Sequence, residues 1–264
     1  MSDPQIELRL SVAPGLQPVT SQTDIAIVID VLRATSVMTT ALSSAAAVFT
    51  SGTVESARRL ASELASQSDR SGRVLLCGER ECCPIEGFDL GNSPAEYSPE
   101  VVAGNTLVLT TTNGTRAIAA AEPANELVVA SFLNLSAVLD HIADRARRSD
   151  RDLQLHLVCS GTNGELTKED VLLAGAIICQ LQSRDRPILL VDDEPALAAE
   201  MWSLRFGPTS LPAVDPLSDE LSRTKGGRNL VAVGYSDDLR RCARIDLSQT
   251  VPRRVVVSPT EFRA

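Results

Sequence analysis

Aromatic side chains are scarce in this chain: five Phe, two Tyr and one Trp make up 3% of 264 residues. That scarcity argues against the stacking platforms that bind single-stranded nucleic acid. Basic residues are outnumbered, with 25 Lys and Arg against 34 Asp and Glu and a net charge of −9. Such a balance repels nucleic acid and anionic membranes, so neither is an expected partner. It also repels anionic metabolites at long range, so an anion site here needs local arginines, backbone N–H groups or a cation. No apolar run approaches the roughly 18 residues of a membrane span. The opening Met1-Ser2-Asp3-Pro4 lacks the basic start and apolar core of an export signal, which leads us to expect a cytoplasmic protein.

Several reactive signatures are missing as well. There are two histidines, His141 and His156, which fall in a helical and a strand pattern. Cys77, Cys82 and Cys83 have an x₄ gap and an adjacent pair, not C-x₂-C spacing, so reduced thiols are expected rather than zinc. No G-x-S-x-G elbow, Walker A loop or G-x-G-x-x-G fingerprint occurs, which weakens acyl transfer, nucleotide hydrolysis and hydride transfer.

What is present is a repeated rhythm of apolar strand, small polar loop and helix. Strands are expected at Ile25–Val31, Arg73–Cys77, Thr106–Thr110, Leu127–Ala130, Gln154–Cys159 and Ile188–Val191. Helices are expected at Ser36–Ala47, Thr53–Ser66, Ser136–Arg148 and Thr167–Gln182. This alternation predicts an α/β fold, a layered α/β/α arrangement with a mixed, largely parallel sheet. We expect one domain over residues 1–264, with a weak internal rhythm that allows similar lobes at about 1–150 and 151–264. The last third reads as less regular, with Lys225-Gly226-Gly227-Arg228 as a flexible turn and Arg254–Val257 as a closing strand.

Ligands of such folds bind beyond the carboxyl ends of the strands. The stretch Thr110-Thr111-Thr112-Asn113-Gly114-Thr115-Arg116 follows a strand and opens a helix, where hydroxyls, N–H groups and the helix dipole favour an anion. Arg116 offers a fork matched to phosphate oxygens. A Thr-rich strand end with an Asn-Gly turn is the alternative. Asp30 ends a buried strand, where a carboxylate must be paired or metal-bound. Arg33 is its nearest partner in sequence and, alternatively, a phosphate clamp. Cys159-Ser160-Gly161-Thr162-Asn163-Gly164 repeats the device ahead of Thr167-Lys168-Glu169-Asp170. There the two acids either favour a helix start or complete an oxygen-rich site for Mg²⁺. Glu79 closely follows another strand end, whereas Asp89 and Asn92 read as turn residues.

Taken together, Asp30-Val31-Leu32-Arg33-Ala34-Thr35, Gly87-Phe88-Asp89-Leu90-Gly91-Asn92-Ser93-Pro94, Thr110–Arg116, Ala130-Ser131-Phe132-Leu133-Asn134, and Gly161–Gly164 with Glu169-Asp170 resemble the 2-phosphosulfolactate phosphatase family. The order matches over nearly the whole chain. The resemblance implies a Mg²⁺-dependent phosphatase that converts 2-phospho-3-sulfolactate into 3-sulfolactate, a product that feeds coenzyme M synthesis in some organisms. Ser36 and Glu81-Cys82-Cys83-Pro84 depart from the family pattern, the latter where a more Gly-rich stretch is usual. On this reading Asp30, Glu79, Glu169 and Asp170 are the expected metal ligands, and Asp30, Arg33 and Arg116 the catalytic residues. Arg33, Asn113, Gly114, Thr115 and Arg116 are expected to hold phosphate, and Ser160, Gly161 and Thr162 to form a second anion cradle. Metal-activated water is the expected nucleophile. Two other readings stay open: a Mg²⁺ phosphatase for a related phosphorylated hydroxy acid, and a non-catalytic anion-binding protein. Homo-oligomerisation is also left open.

Overall fold

The computed structural model describes residues 4–12, 17–67, 72–184 and 187–264, so Met1–Asp3 of the opening segment lie outside the described residues. The first half contains β1 (Ile6–Val12), β2 (Ile25–Ile29), α1 (Ala34–Leu42), β3 (Ala47–Thr50), α2 (Val54–Ala65), β4 (Val74–Arg80) and β5 (Cys83–Pro84). It continues with the single-turn α3 (Pro99–Val102), β6 (Thr106–Thr110), α4 (Gly114–Ala121), β7 (Glu126–Ala130) and α5 (Leu135–Arg147). The second half contains β8 (Leu153–Cys159), α6 (Lys168–Gln182), β9 (Ile188–Leu190), α7 (Asp193–Phe206), α8 (Val214–Ser222), α9 (Lys225–Ala232) and α10 (Ser236–Cys242). The hairpin β10 (Arg253–Val256) and β11 (Glu261–Arg263) closes the order.

The strands form one sheet in the order β5-β4-β6-β3-β11-β10-β7-β2-β8-β1-β9. β4, β6 and β3 are mutually parallel, as are β7, β2, β8, β1 and β9. The β10–β11 hairpin joins these two parallel blocks through antiparallel pairings on both sides. The result is the layered α/β/α architecture expected from the alternation. Every residue of β2 is buried, as a central parallel strand covered on both faces requires. A division at about residue 150 would cut β8 from β1 and β2, between which it pairs.

The two blocks fold toward each other across α1 and α4. One apolar core takes Val37 and Met38 of α1, Ala117 and Ile118 of α4, Ala26 and Val28 of β2, and Leu107 and Leu109 of β6. A second core packs α5, α6 and α7 on β1, β2 and β8, with Trp202 fully buried. Sharing α1 and α4 between the blocks brings the ends of β2, β4, β6 and β8 to one place.

Three expectations change. β1 and the short β3 were not anticipated, and the helix expected at Ser36–Ala47 stops at Leu42 to make room for β3. The Lys225-Gly226-Gly227-Arg228 turn is instead the first turn of α9, capped by the Thr224 hydroxyl, which accepts from Gly227 N–H at 3.1 Å. Glycine is needed there for closeness, since a Cβ on Gly226 would lie 2.0 Å from Glu169 Oε1.

A candidate active site at the strand ends

Asp30 follows β2 and is buried. Its carbonyl accepts from the Thr35 N–H (3.0 Å) and hydroxyl (2.8 Å), and its Oδ1 accepts from Ala34 N–H at 3.2 Å. These bonds turn the chain into α1 and aim the carboxylate at the α4 start. A Cβ on Gly114 would sit 2.6 Å from Ala34 Cβ and 2.9 Å from Asp30 Oδ2, so glycine lets the two loops touch. Burial first, then the negative charges of Glu79 and Glu169, pushes the Asp30 carboxyl up to about 7.

Glu79 reaches in from β4. Its Oε1 accepts from Thr112 N–H and its Oε2 from Cys82 N–H, both at 2.8 Å, so it ties the loop after β6 to the β4–β5 hairpin. That hairpin has a two-residue turn, Glu81-Cys82, with both φ values positive at 52° and 64°. This is the local shape of the stretch that departs from the family pattern, and it is the backbone twist that tight hairpins use.

Arg33 is 3% exposed and does not pair with Asp30. Its Nη1 meets Asp238 Oδ2 at 2.8 Å, its Nη2 donates to the Cys82 carbonyl at 3.0 Å, and its guanidinium lies 4.3 Å from the centre of the Tyr235 ring. Asp238 also accepts from the Ser93 hydroxyl at 2.6 Å. Arg33 therefore lines the cleft while fastening α10 to it. Asp238 lies 205 residues from Arg33, beyond the reach of any local sequence signal.

The carboxylates of α6 lie behind the cleft. Asp170 Oδ1 accepts from Val31 N–H at 2.9 Å; its Oδ2 accepts from Gly161 N–H at 3.0 Å and from the Ser160 and Thr167 hydroxyls at 3.2 Å. The Thr167–Asp170 spacing thus gives a side-chain contact rather than a backbone cap. Burial and the charges of Asp30 and Glu169 hold the Asp170 carboxyl well above its ordinary range. Burial also raises Glu169, whose Oε1 accepts from Gly226 N–H at 3.1 Å and whose buried Oε2 has no hydrogen-bond partner among the described residues.

The two expected anion loops differ. After β6, the N–H groups of Asn113 and Gly114 meet no protein acceptor among the described residues. Asn113 lines the cleft, and its Oδ1 accepts from Asn163 N–H at 3.0 Å. The Thr115 hydroxyl is turned back to the Thr111 carbonyl at 2.7 Å, and Arg116 is exposed on the outer face of α4, away from the cleft. After β8, Ser160 N–H donates to Ile29, Gly161 N–H to Asp170 and Thr162 N–H to Glu165. A cradle of free N–H groups at Ser160–Thr162 is absent because the protein itself consumes all three; Thr162 contributes to the wall of the cleft.

Asn92, Asn229 and Gly226 complete the walls and were not foreseen as site residues. Asn92 lay within a quoted motif but read as a turn residue, and Asn229 carries no local signature. Asp89, by contrast, behaves as a turn residue, accepting Leu76 N–H at 2.8 Å. Among the described residues no three His, Cys, Asp or Glu side chains converge tightly enough to hold a metal by themselves. No described helix is long and apolar enough to cross a membrane.

A polar cleft at the carboxyl ends of parallel strands joins buried carboxylates to free backbone donors at a helix start, an α/β arrangement with the chemistry suited to an anionic group. The profile of 2-phosphosulpholactate phosphatase matches residues 12–255. A Thermotoga petrophila protein named probable 2-phosphosulfolactate phosphatase is 40% identical over 232 residues, covering 87% of this chain and 88% of its own length. A Thermotoga maritima protein of the same name matches to the same extent. A Caldanaerobacter subterraneus protein, also so named, is 39% identical over 228 residues, covering 86% of each chain. The chain belongs to the 2-phosphosulfolactate phosphatase family, hydrolases of a phosphoric monoester.

Proposed function

We propose that the protein hydrolyses 2-phospho-3-sulfolactate to 3-sulfolactate and inorganic phosphate with the help of Mg²⁺. One observation carries the reading: the free N–H groups of Asn113 and Gly114 open beside the Asp30 carboxylate, within a family of this named activity. The N–H groups and the α4 dipole would bind the phosphoryl oxygens, and Thr111 lines the same wall.

The donor set suits Mg²⁺ rather than a closed protein cage. Asp30 and Glu79 both line the cleft, and crowded buried carboxylates call for a cation. With no third acid converging on them, most ligands would be water and substrate, which is how Mg²⁺ is usually held. Glu79 would hold the ion, since each of its oxygens keeps a lone pair beyond its N–H bond. Bound Mg²⁺ supplies charge neutralisation for the phosphoryl group. Asp30, raised toward neutrality, would take a proton from the attacking water. Glu169 and Asp170 would act from behind, Asp170 by fixing the β2 and β8 loops.

A second reading, a broader phosphatase for phosphorylated hydroxy acids, draws on the sparse positive charge of the cleft, where Arg33 is already paired. Phosphate release from phosphosulfolactate, phospholactate and phosphoglycolate, with Mg²⁺ or with chelator, separates the two. The proposed function expects phosphosulfolactate to lead by at least about tenfold in kcat/KM, and expects chelator to abolish turnover. Equal rates on all three favour the broader enzyme. Binding without release in the presence of Mg²⁺ points to an anion-binding protein instead.

A further inference from the structure

Asn92 is 6% exposed and lines the cleft, and its buried Oδ1 has no hydrogen-bond partner among the described residues. Buried amide oxygens are almost always paired, so this one calls for a partner that arrives with the reactants. Its own segment does not use it. Gly91 N–H and Ser93 N–H donate to Glu96 at 2.6 and 3.3 Å, Tyr97 donates to the Gly91 carbonyl at 2.6 Å, and the Ser93 hydroxyl is held by Asp238. The turn is therefore fastened on both sides of Asn92 by other groups.

Among the described residues, none of the donors that line the cleft bonds this oxygen. Asp30 and Glu79 are acceptors, Arg33 turns one N–H of each terminal nitrogen to Asp238 and the Cys82 carbonyl, and the N–H groups of Asn113 and Gly114 are assigned above to the phosphoryl oxygens. A phosphate dianion, a carboxylate and a sulfonate bring acceptors only. Water is the donor that fits. We infer that Asn92 Oδ1 accepts one O–H of the water that attacks phosphorus and so fixes its orientation, an assignment that rests on the hydrolytic reading above. In that step the water oxygen bonds to phosphorus while the phosphorus–ester oxygen bond breaks. One water proton passes to Asp30, the second O–H stays on phosphate, and the departing oxygen is protonated from solvent. A water has two O–H groups to direct, and the carboxylate with Asn92 accounts for both.

The test is Asn92→Ala, with Asn92→Ser as a variant that keeps a small acceptor. For Asn92→Ala we expect kcat to fall on the order of 10²-fold, KM to stay within about threefold, and binding of inorganic phosphate by calorimetry to be unchanged. Asn92→Ser should recover part of kcat, because a hydroxyl still accepts. A large rise in KM with kcat intact, or weakened phosphate binding, would make Asn92 a contact to the substrate anions and overturn the assignment. So would an unchanged kcat. Should Asn92→Ala fail to fold, Asn92→Ser decides by the same split between kcat and KM. A wild-type chain that releases no phosphate from any monoester sinks the hydrolytic reading itself, whereas an active wild type with an indifferent Asn92 sinks this inference alone.

Discussion

The loops after β6 and β8 share a design, a buried parallel strand running into small polar residues and then a helix, yet they do different work. In the first, the N–H groups of Asn113 and Gly114 meet no acceptor among the described residues. In the second, Ser160, Gly161 and Thr162 give theirs to Ile29, Asp170 and Glu165. What separates them is the set of acceptors packed around each: the second loop meets the carbonyls of Ile29 and Glu165 and the Asp170 carboxylate, while in the first Glu79 takes only Thr112 N–H and Asp30 takes none. Small-residue composition makes an anion loop available, and the acceptors packed around it decide whether it stays available.

The comparison breaks most decisively at Asp30. Asp30→Asn should lower kcat by about 10³-fold or more, since the group proposed to take the proton is lost. The same variant tests the electrostatics. The folded value of Asp30 is raised from an ordinary 3.8 to about 7, so its contribution to stability is fully present below about pH 3.8 and is lost as pH rises through 7. The Mg²⁺-free protein should lose roughly 5 °C or more of Tm between pH 5 and pH 8, and Asp30→Asn should flatten that loss. An equally steep loss in the variant would assign the dependence to other groups.

A smaller effect is expected from Gly114→Ala, which closes the contact between the loops. The added methyl meets Ala34 and Asp30, so we expect about 1–3 kcal/mol of lost stability and about 10²-fold lower kcat/KM, read by denaturant titration and steady-state kinetics. Wild-type kinetics would show that the first loop need not approach Asp30. The smallest effect belongs to Arg116→Lys. Because Arg116 is exposed away from the cleft, kcat/KM should change by less than about twofold. A tenfold loss would mean that the first loop binds through this guanidinium as well as through its backbone.

The sequence makes the first loop and its strand legible because buried parallel strands are unbroken apolar runs and the loop proposed to bind the anion directly follows one. The helices around Thr53–Ser66 and Thr167–Gln182 are legible from their periodicity. β3 escapes notice because four residues shortly after a helix carry no period of their own. The partners of Arg33 and the roles of Asn92 and Asn229 escape for another reason. Each is defined by residues far away in sequence, and a buried unpaired oxygen is a property of packing, invisible in composition. The free and the consumed N–H groups are hidden likewise, since both loops read alike.

The β10–β11 hairpin occupies the middle of the sheet, although residues 253–263 follow every other strand in the chain. A ribosome must therefore deliver both parallel blocks before the strands that join them emerge. Until then β3 and β7 each present an unpaired edge, the kind of surface that seeks strands from other chains. Assembly of the cleft is thus deferred to a late, long-range closure, and the nascent protein is most exposed to misassociation just before its final hairpin is laid down.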